Sequence, residues 1–313
     1  MGIPCLNRYI CDNCVDSVKK KKLWALRGKV IAVDIMVYLY KYHSDGVLLE
    51  NMYHMISLFR YYKIVPIFVF DGRPPPEKAE LLKKRKEEKW DAEEKYNILK
   101  ERLSTTIEEE VIAEINNNMN VLKKRFTRLN SHILDKVKSL MDTYGTKYIV
   151  ADGEADPLCA KLVIKKKAYA CLSEDMDQFL YGCPRVLRNI NLQEATVVLY
   201  DLKEILRELE LSFNEFKEIC IVSGTDYNRS SHINLHKTLK YFVRYKKSNI
   251  NGFYQWLQLK TNYITNIESL QKIFKMFDLS NIILPKLRLE NTSVDSATLK
   301  ALLIPEGFIF MNS

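Results

Sequence analysis

The sequence predicts an α/β protein built on a mostly parallel sheet flanked by helices. Three observations carry that expectation. Short apolar runs alternate with helical stretches, and several of those runs end in an acidic residue. From Pro74 to Gly145 the alternation gives way to long, densely charged helical sequence.

The elements follow in order. "GKVIAVDIMVYLY" supplies a strand from Lys29 to about Val33 that passes into a helix after Asp34. The apolar run "KIVPIFVFDG" gives a second strand ending at Asp71. Three prolines, Pro74 to Pro76, then open "PPPEKAELLKKRKEEKWDAEEKYNILKERL", and helical sequence continues to a glycine stop at Gly145. "KYIVADG", "AYACLSEDMD", "RVLRNI" and "ATVVLYD" carry short strand signals. A helix from Phe213 to Ser223 leads into "SGTDYN", and after about Leu235 the chain reads as helices rich in Lys, Tyr, Asn and Ile.

A chain of 313 residues is long enough for a sizeable core, and 47% hydrophobic content argues against disorder. No apolar run approaches the roughly 18 residues of a membrane span, so no membrane partner is expected. The formal net charge of +9 fits a polyanionic partner. Seven scattered cysteines and no signal-peptide pattern point to free thiols in a reducing compartment. Cys11 and Cys14 form a lone CxxC, short of the four ligands a structural zinc needs, and read as ordinary thiols.

The acidic residues carry the chemistry. Asp34 and Asp71 each end an apolar strand, Glu154 and Asp156 follow "YIVADG", Asp175 and Asp177 follow "YACLSE", and Asp226 sits in "GTDYN". In open α/β sheets the functional crevice lies outside the carboxyl ends of the strands. Any one aspartate there reads equally as a turn or helix cap. Seven carboxylates at equivalent positions would repel one another and resist desolvation, which hard divalent cations resolve. The five histidines, His43, His54, His132, His232 and His236, lie apart from these motifs and argue against zinc; His232 and His236, one helical turn apart, read as surface residues. Two ions in such a site would activate water and clamp the attacking and leaving oxygens of a phosphodiester.

Downstream of Asp71, Lys78 and Arg85 are seven apart and share a helix face, placed to hold a phosphate. The rest of that segment, with its many glutamates, reads as a solvated, ion-paired helix. Tyr40 could offer a ring for base stacking. A small-molecule phosphatase has no use for so long a charged excursion, whereas an enzyme gripping a nucleic-acid strand does.

These motifs together resemble the flap endonuclease/XPG-type structure-specific 5′ nucleases. "MGI", "VDIMVYLY", "FVFDGRPPPEK", "GEADPLCA", "SEDMDQFLYG" and "GTDYN" stand in family order from Met1 to about Tyr227. The resemblance implies a PIN-like (Rossmann-like) sheet, a helical arch inserted over 74–145 in a nuclease core of 1–227, and a helical DNA-binding region over 228–313. It implies two Mg²⁺ ions, with Mn²⁺ as a substitute. Asp34, Asp71, Glu154 and Asp156 would serve the first metal, and Asp175, Asp177 and Asp226 the second. Lys78 and Arg85 would contact the scissile phosphate, with Asp34 and Asp175 counted among the catalytic residues. Tyr40 would stack beside that phosphate, and Gly2 would let the N-terminus approach closely.

Three departures from the family pattern stand out. Position 156 carries Asp where the family typically has Glu. "NRSSHINLHKTLKYFVRYKK" lacks the glycines of the family's cation-binding helix-hairpin-helix, leaving Lys237, Lys240, Arg244, Lys246 and Lys247 to neutralise phosphates. The chain ends in "IPEGFIFMNS" without a recognisable sliding-clamp-binding tail. These departures and the Asn-, Ile- and Lys-rich composition most resemble the poxvirus member of the family, which implies work in the host cytoplasm beside viral replication or recombination proteins. The expected activity is cleavage of branched, flapped, gapped or nicked DNA in repair, recombination and replication. The rival expectations are a branched-DNA-binding scaffold that has lost turnover and a metal-dependent phosphatase.

Overall fold

The structure is a computed structural model that describes residues 2–105, 108–228, 233–264, 266–286 and 293–310. His232 lies outside the described residues. The strands are β1 (Val18–Lys22), β2 (Val30–Asp34), β3 (Val65–Phe70), β4 (Lys147–Val150), β5 (Ala170–Leu172), β6 (Arg185–Asn191) and β7 (Thr196–Asp201). The helices are α1 (Leu6–Asn13), α2 (Met36–Ser44), α3 (Leu48–Tyr61), α4 (Ala79–Thr105), α5 (Glu109–Phe126), α6 (Ser131–Thr143), α7 (Ala155–Ile164), α8 (Asp177–Leu180), α9 (Leu202–Glu208), α10 (Phe213–Ser223), α11 (Leu235–Lys246), α12 (Phe253–Lys260), α13 (Ile267–Met276) and α14 (Ser296–Leu303). The chain divides into two compact units that interleave along the sequence.

The first unit comprises Met1–Asp34, Leu58–Arg73 and Ile149–Leu289. It is organised by a sheet of order β1-β7-β6-β5-β2-β3-β4 among the described residues. Strand β2 pairs in parallel with β3 and β5, and β5 in parallel with β6. The central strands "VIAVD" and "ACL" are buried almost throughout, as parallel strands covered on both faces must be. Helix α7 packs over β2, β3 and β5, placing Leu158, Cys159, Leu162 and Val163 in the core.

The far edge supplies the antiparallel part of this mostly parallel sheet. Strands β6 and β7 pair antiparallel, and β1 adds antiparallel to β7 from Val18 opposite Tyr200 to Lys22 opposite Thr196. The sequence expectations include no strand at "VKKKK". As an edge strand its lysines deter pairing with another chain.

The C-terminal part of this unit is helical. Helix α10 opens on a capping box formed by Ser212 and Glu215 and ends at Gly224, whose φ is 106°. Helix α11 opens on Asn234, whose side chain accepts from the Lys237 amide. Thr238, Phe242, Phe253 and Trp256 are buried against neighbouring rings.

The second unit comprises Ile35–Ser57, Pro74–Tyr148 and Glu290–Ser313. Helices α4 and α5 lie antiparallel. Tyr96 meets Phe126 edge-on, Lys89 Nζ donates to the Thr127 carbonyl at 3.2 Å, and Arg128 pairs with Glu93 at 2.7 Å. Helix α6 starts on an Asn130 cap and stops before Gly145, at φ 63°. Tyr144 bonds Ser57 Oγ at 2.8 Å, and the Asp295 amide donates to Thr143 at 2.9 Å, tying α14 to α6. No helix among the described residues is long and apolar enough to cross a membrane.

One carboxyl in α10 gives the fold a pH signature. Burial, with Glu215 adding its charge, raises Glu218 from 4.5 to about 7. The folded chain therefore holds a proton there that the unfolded chain has released, and stability falls as pH rises from about 4.5 to about 7. Glu218→Gln is expected to raise Tm at pH 8 by about 2–4 °C, the equivalent of ~1 kcal/mol after solvent screening at this partly exposed site. At pH 4 the variant and wild type should unfold together. Thermal unfolding followed by circular dichroism at the two pH values checks this.

Candidate metal centre

The acidic residues of the first unit arrive at the site by strand register. Asp34 ends β2 and is buried, and Asp71 follows β3 directly. Ser173, just past β5, donates its hydroxyl to Asp34 Oδ2 at 2.8 Å, and its Oγ accepts the Asp175 amide at 3.1 Å. The Asp177 amide donates to Asp175 Oδ1 at 3.0 Å. These bonds hold Ser173–Asp177 as a tight turn in which both aspartates are buried.

Glu154 occupies the N-cap position of α7 and Asp156 lies in its first turn. Asp71 Oδ1 accepts the Ala155 amide at 2.8 Å, so the end of β3 is fastened to the start of α7, where the helix dipole favours a carboxylate. Gln178 Nε2 donates to Asp156 Oδ1 at 2.8 Å and to the Asp156 carbonyl at 3.2 Å. Asp156 is pushed well above the ordinary carboxylate range, first by burial and then by the charges of Asp34 and Asp175, with Asp177 adding to them and the Gln178 bond opposing. Asp34, Asp156, Asp175 and Asp177 therefore lie in one electrostatic neighbourhood.

Asp226 sits on a turn that Asn228 braces. Asn228 Oδ1 accepts from the Thr225 amide at 2.8 Å and its hydroxyl at 2.7 Å, while Nδ2 donates to the Ile221 carbonyl at 2.7 Å. Among the described residues, no group of three or more His, Cys, Asp or Glu side chains is gathered closely enough to close around one ion.

Two glycines make this geometry sterically possible. Gly2 has φ 76°, and a Cβ there would fall 2.5 Å from Asp175 Oδ1 and 2.6 Å from Asp177 Oδ1. At Gly72 a Cβ would meet the Ala151 carbonyl oxygen at 1.9 Å. Only a hydrogen at Gly72 allows its amide to reach the Gly153 carbonyl at 2.7 Å.

The basic residues fall into two sets. On α11, Lys237, Lys240 and Arg244 are exposed, opposite the buried Leu235, Thr238 and Phe242, and Lys247 at its C-cap is exposed too. Lys237 lies over the Tyr263 ring, and Lys246 is tied to Glu215 at 2.7 Å. In the second unit, Lys78 ends a short 3₁₀ turn, Pro76–Lys78, and is buried, while Arg85 is half-buried on α4. Lys89, one turn beyond Arg85, lies 5.2 Å over the Tyr40 ring. Burial, then Arg128 and Arg85, lower its pKa.

Sequence reasoning passed over Lys89, whose i, i+4 spacing from Arg85 was the available signal. It also passed over Ser173, Gln178 and Asn228, each inside or beside an acidic motif but neutral and so silent in a charge count. Cys11 and Cys14 form no disulfide, and burial, with Glu208 and Cys11, pushes the Cys14 thiol up to about 11.

Residues 1–92 match the XPG N-terminal domain and residues 145–226 the XPG I-region. Over 283 residues the chain is 31% identical to flap endonuclease 1 of Methanococcus aeolicus, covering 84% of this chain and 79% of that one. The chain belongs to the XPG/flap endonuclease family. Among solved structures, flap endonuclease-1 from Methanococcus jannaschii is 25% identical with a TM-score of 0.63, over 93% of this chain and 91% of that one. The catalytic core of Rad2 shares the fold with a TM-score of 0.70 at 18% identity, over 98% of this chain and 95% of that one. The chain spans less than two thirds of the length of several eukaryotic family members that it matches. Between the two matched stretches lie the C-terminal half of α4 and all of α5 and α6.

Family membership implies metal-dependent catalysis, and the donor set fits a hard divalent cation: every candidate ligand is a carboxylate oxygen. Without metal, the raised Asp156 makes the folded chain bind protons, so this residue's contribution to stability falls as pH rises out of the ordinary carboxylate range. Asp156→Asn keeps an acceptor for Gln178 and removes one repelling charge. At pH 8 in EDTA it is expected to raise Tm, while abolishing the Tm gain expected of wild type on adding Mg²⁺. Differential scanning fluorimetry with and without Mg²⁺ measures both.

Proposed function

We propose that the protein is a divalent-metal-dependent, structure-specific 5′ endo/exonuclease that hydrolyses phosphodiester bonds in branched, flapped, gapped or nicked DNA, serving repair, recombination and replication. The observation that carries this reading is the placement of Asp34, Asp175 and Asp177, buried at adjacent strand ends and linked through Ser173, in a chain 31% identical to a flap endonuclease. Structural relatives solved with DNA support the substrate class: the Rad2 core with DNA substrate, and human GEN1 with Holliday junction DNA.

Asp34, Asp71, Glu154 and Asp156 would hold one Mg²⁺ and Asp175, Asp177 and Asp226 a second, with Mn²⁺ able to replace them. When bound, the pair supplies a nucleophile at neutral pH and neutralises charge on the phosphodiester oxygens. The chain's own residues prepare that chemistry. Ser173 and Gln178 each donate to one carboxylate oxygen and so fix the direction of the remaining one. Buried walls around Asp34, Asp175 and Asp177 limit screening by water. Lys78 and Arg85 supply positive charge for the scissile phosphate, and Tyr40 a ring for the neighbouring base. Lys237, Lys240 and Arg244 form an exposed basic face on α11 for duplex phosphates, a contact that needs no glycine-lined backbone. The poxvirus assignment, and with it a host-cytoplasmic site of action, rests on sequence composition and on the departures from the cellular pattern.

Purified protein is expected to cut an end-labelled 5′-flapped duplex with Mg²⁺. Asp34→Ala and Asp175→Ala should each lower the rate at least ~10³-fold while leaving flap affinity within ~3-fold of wild type. No cutting of flap, gapped or nicked DNA with either Mg²⁺ or Mn²⁺ would sink the reading. Joint replacement of Lys237, Lys240 and Arg244 by Ala should weaken binding to all duplexes alike. The log–log salt dependence should become shallower by about one per phosphate contact removed, read by fluorescence anisotropy across a salt series.

A further inference from the structure

Strand β6 carries a buried arginine that the functional reading leaves unused. The β6–β7 register shifts between Arg188 and Asn191, and Asn189 takes φ 52°. Such a bulge re-aims side chains and frees backbone groups from the ladder. Both happen here, and both are directed at one loop. The Asn189 amide donates to Glu174 Oε1 at 2.7 Å. Arg188 Nη2 donates to the Glu174 carbonyl at 2.9 Å, and Nη1 lies 2.9 Å from Met176 Sδ. Nε stands 3.6 Å from Glu174 Oε2. Glu174 and Met176 are the two residues flanking Asp175.

The same guanidinium reaches the N-terminal helix. Arg188 Nη1 donates to Asn7 Oδ1 in α1, and that oxygen also accepts from Tyr200 Oη at 2.9 Å. Helix α1 begins three residues past Ile3, at Leu6, and Gly2 abuts Asp175 and Asp177. One planar cation thus connects both sides of the gap between Gly2 and the acidic pair.

We propose that Arg188 is a positioning residue: held by the β6 bulge and by Glu174, it sets the spacing between the Gly2 segment and the Asp175/Asp177 loop, and so the metal affinity of that half of the site. The proposal rests on the nuclease reading above. A guanidinium suits the task because its fixed fork can bond a carbonyl and an amide oxygen at once, which a lysine ammonium on a flexible stem cannot do in the same geometry. Burying it without those partners would be costly, so a purely stabilising role is the competing explanation, and metal binding separates the two.

The test uses the full chain with Arg188→Gln and Arg188→Lys. Mn²⁺ binding without DNA is followed by titration calorimetry, Mg²⁺ half-saturation by flap cleavage, flap affinity by anisotropy in EDTA, and Tm by fluorimetry. Both variants are expected to weaken Mn²⁺ binding and raise the Mg²⁺ half-saturation by about 10–100-fold, the range seen when partners of metal ligands are removed. Cleavage at saturating Mg²⁺ should recover to within ~5-fold, flap affinity in EDTA should stay within ~2-fold, and lysine should not rescue. Wild-type metal dependence accompanied only by a lower Tm would overturn the proposal. If Arg188→Gln does not fold, Glu174→Gln carries the same test: ~3–10-fold weaker Mn²⁺ binding supports it, and unchanged binding overturns it. A wild-type chain that neither binds Mn²⁺ nor cuts DNA would instead overturn the nuclease reading itself, and this proposal with it.

Discussion

Like charges crowded at the carboxyl ends of buried parallel strands are the constraint around which the first unit is arranged. Asp34 and Asp71 are placed by the register of β2 with β3, and Asp175 and Asp177 by the pairing of β5 with β2. Left alone, such carboxylates would move apart or take up protons. The fold opposes the first response with short bonds from neutral donors, Ser173 to Asp34 and Gln178 to Asp156, and with the Asp71 bond to the start of α7. The second response is visible in the raised pKa of Asp156. Under the proposed function, a site held open against its own repulsion is preorganised for cations.

Close approach is the second requirement, and it explains why the constraint can be met at all. Backbone, not side chain, forms two of the walls: Gly2 beside the Asp175/Asp177 pair, and Gly72 against the segment that leads to Glu154. Stability given up at such positions is recovered in the core, where α7 covers the parallel strands and α11 and α12 interlock their aromatic rings. The lysine-laden β1 closes the far edge of the sheet without adding to the site.

How much of this could be read from sequence depended on whether the signal was local. Continuous apolar runs capped by acids announced β2, β3 and β5 and the residues at their ends. Prolines at 74–76 and Gly145 bounded the helical insertion because their backbone preferences act in place. Strand β1 was hidden because "VKKKK" forms a strand only through its pairing with β7, a contact some 180 residues away in the chain. Arg188, Ser173, Gln178 and Asn228 were equally hidden. Their roles depend on a bulge, a turn or a partner that no spacing rule encodes. Glu174 is the instructive case. It is one of three acids in four positions, the one left out of the expected ligand set, and it turns to Arg188 and the Asn189 amide.

The claim at the centre of this account is that the crowded acids exist to hold divalent ions. Anomalous diffraction from crystals soaked in Mn²⁺ tests it most directly. Two ions roughly 3.5–4 Å apart, between the strand ends that bear Asp34 and Asp175, are the predicted result. No anomalous density among these carboxylates at Mn²⁺ concentrations that support cleavage would contradict it.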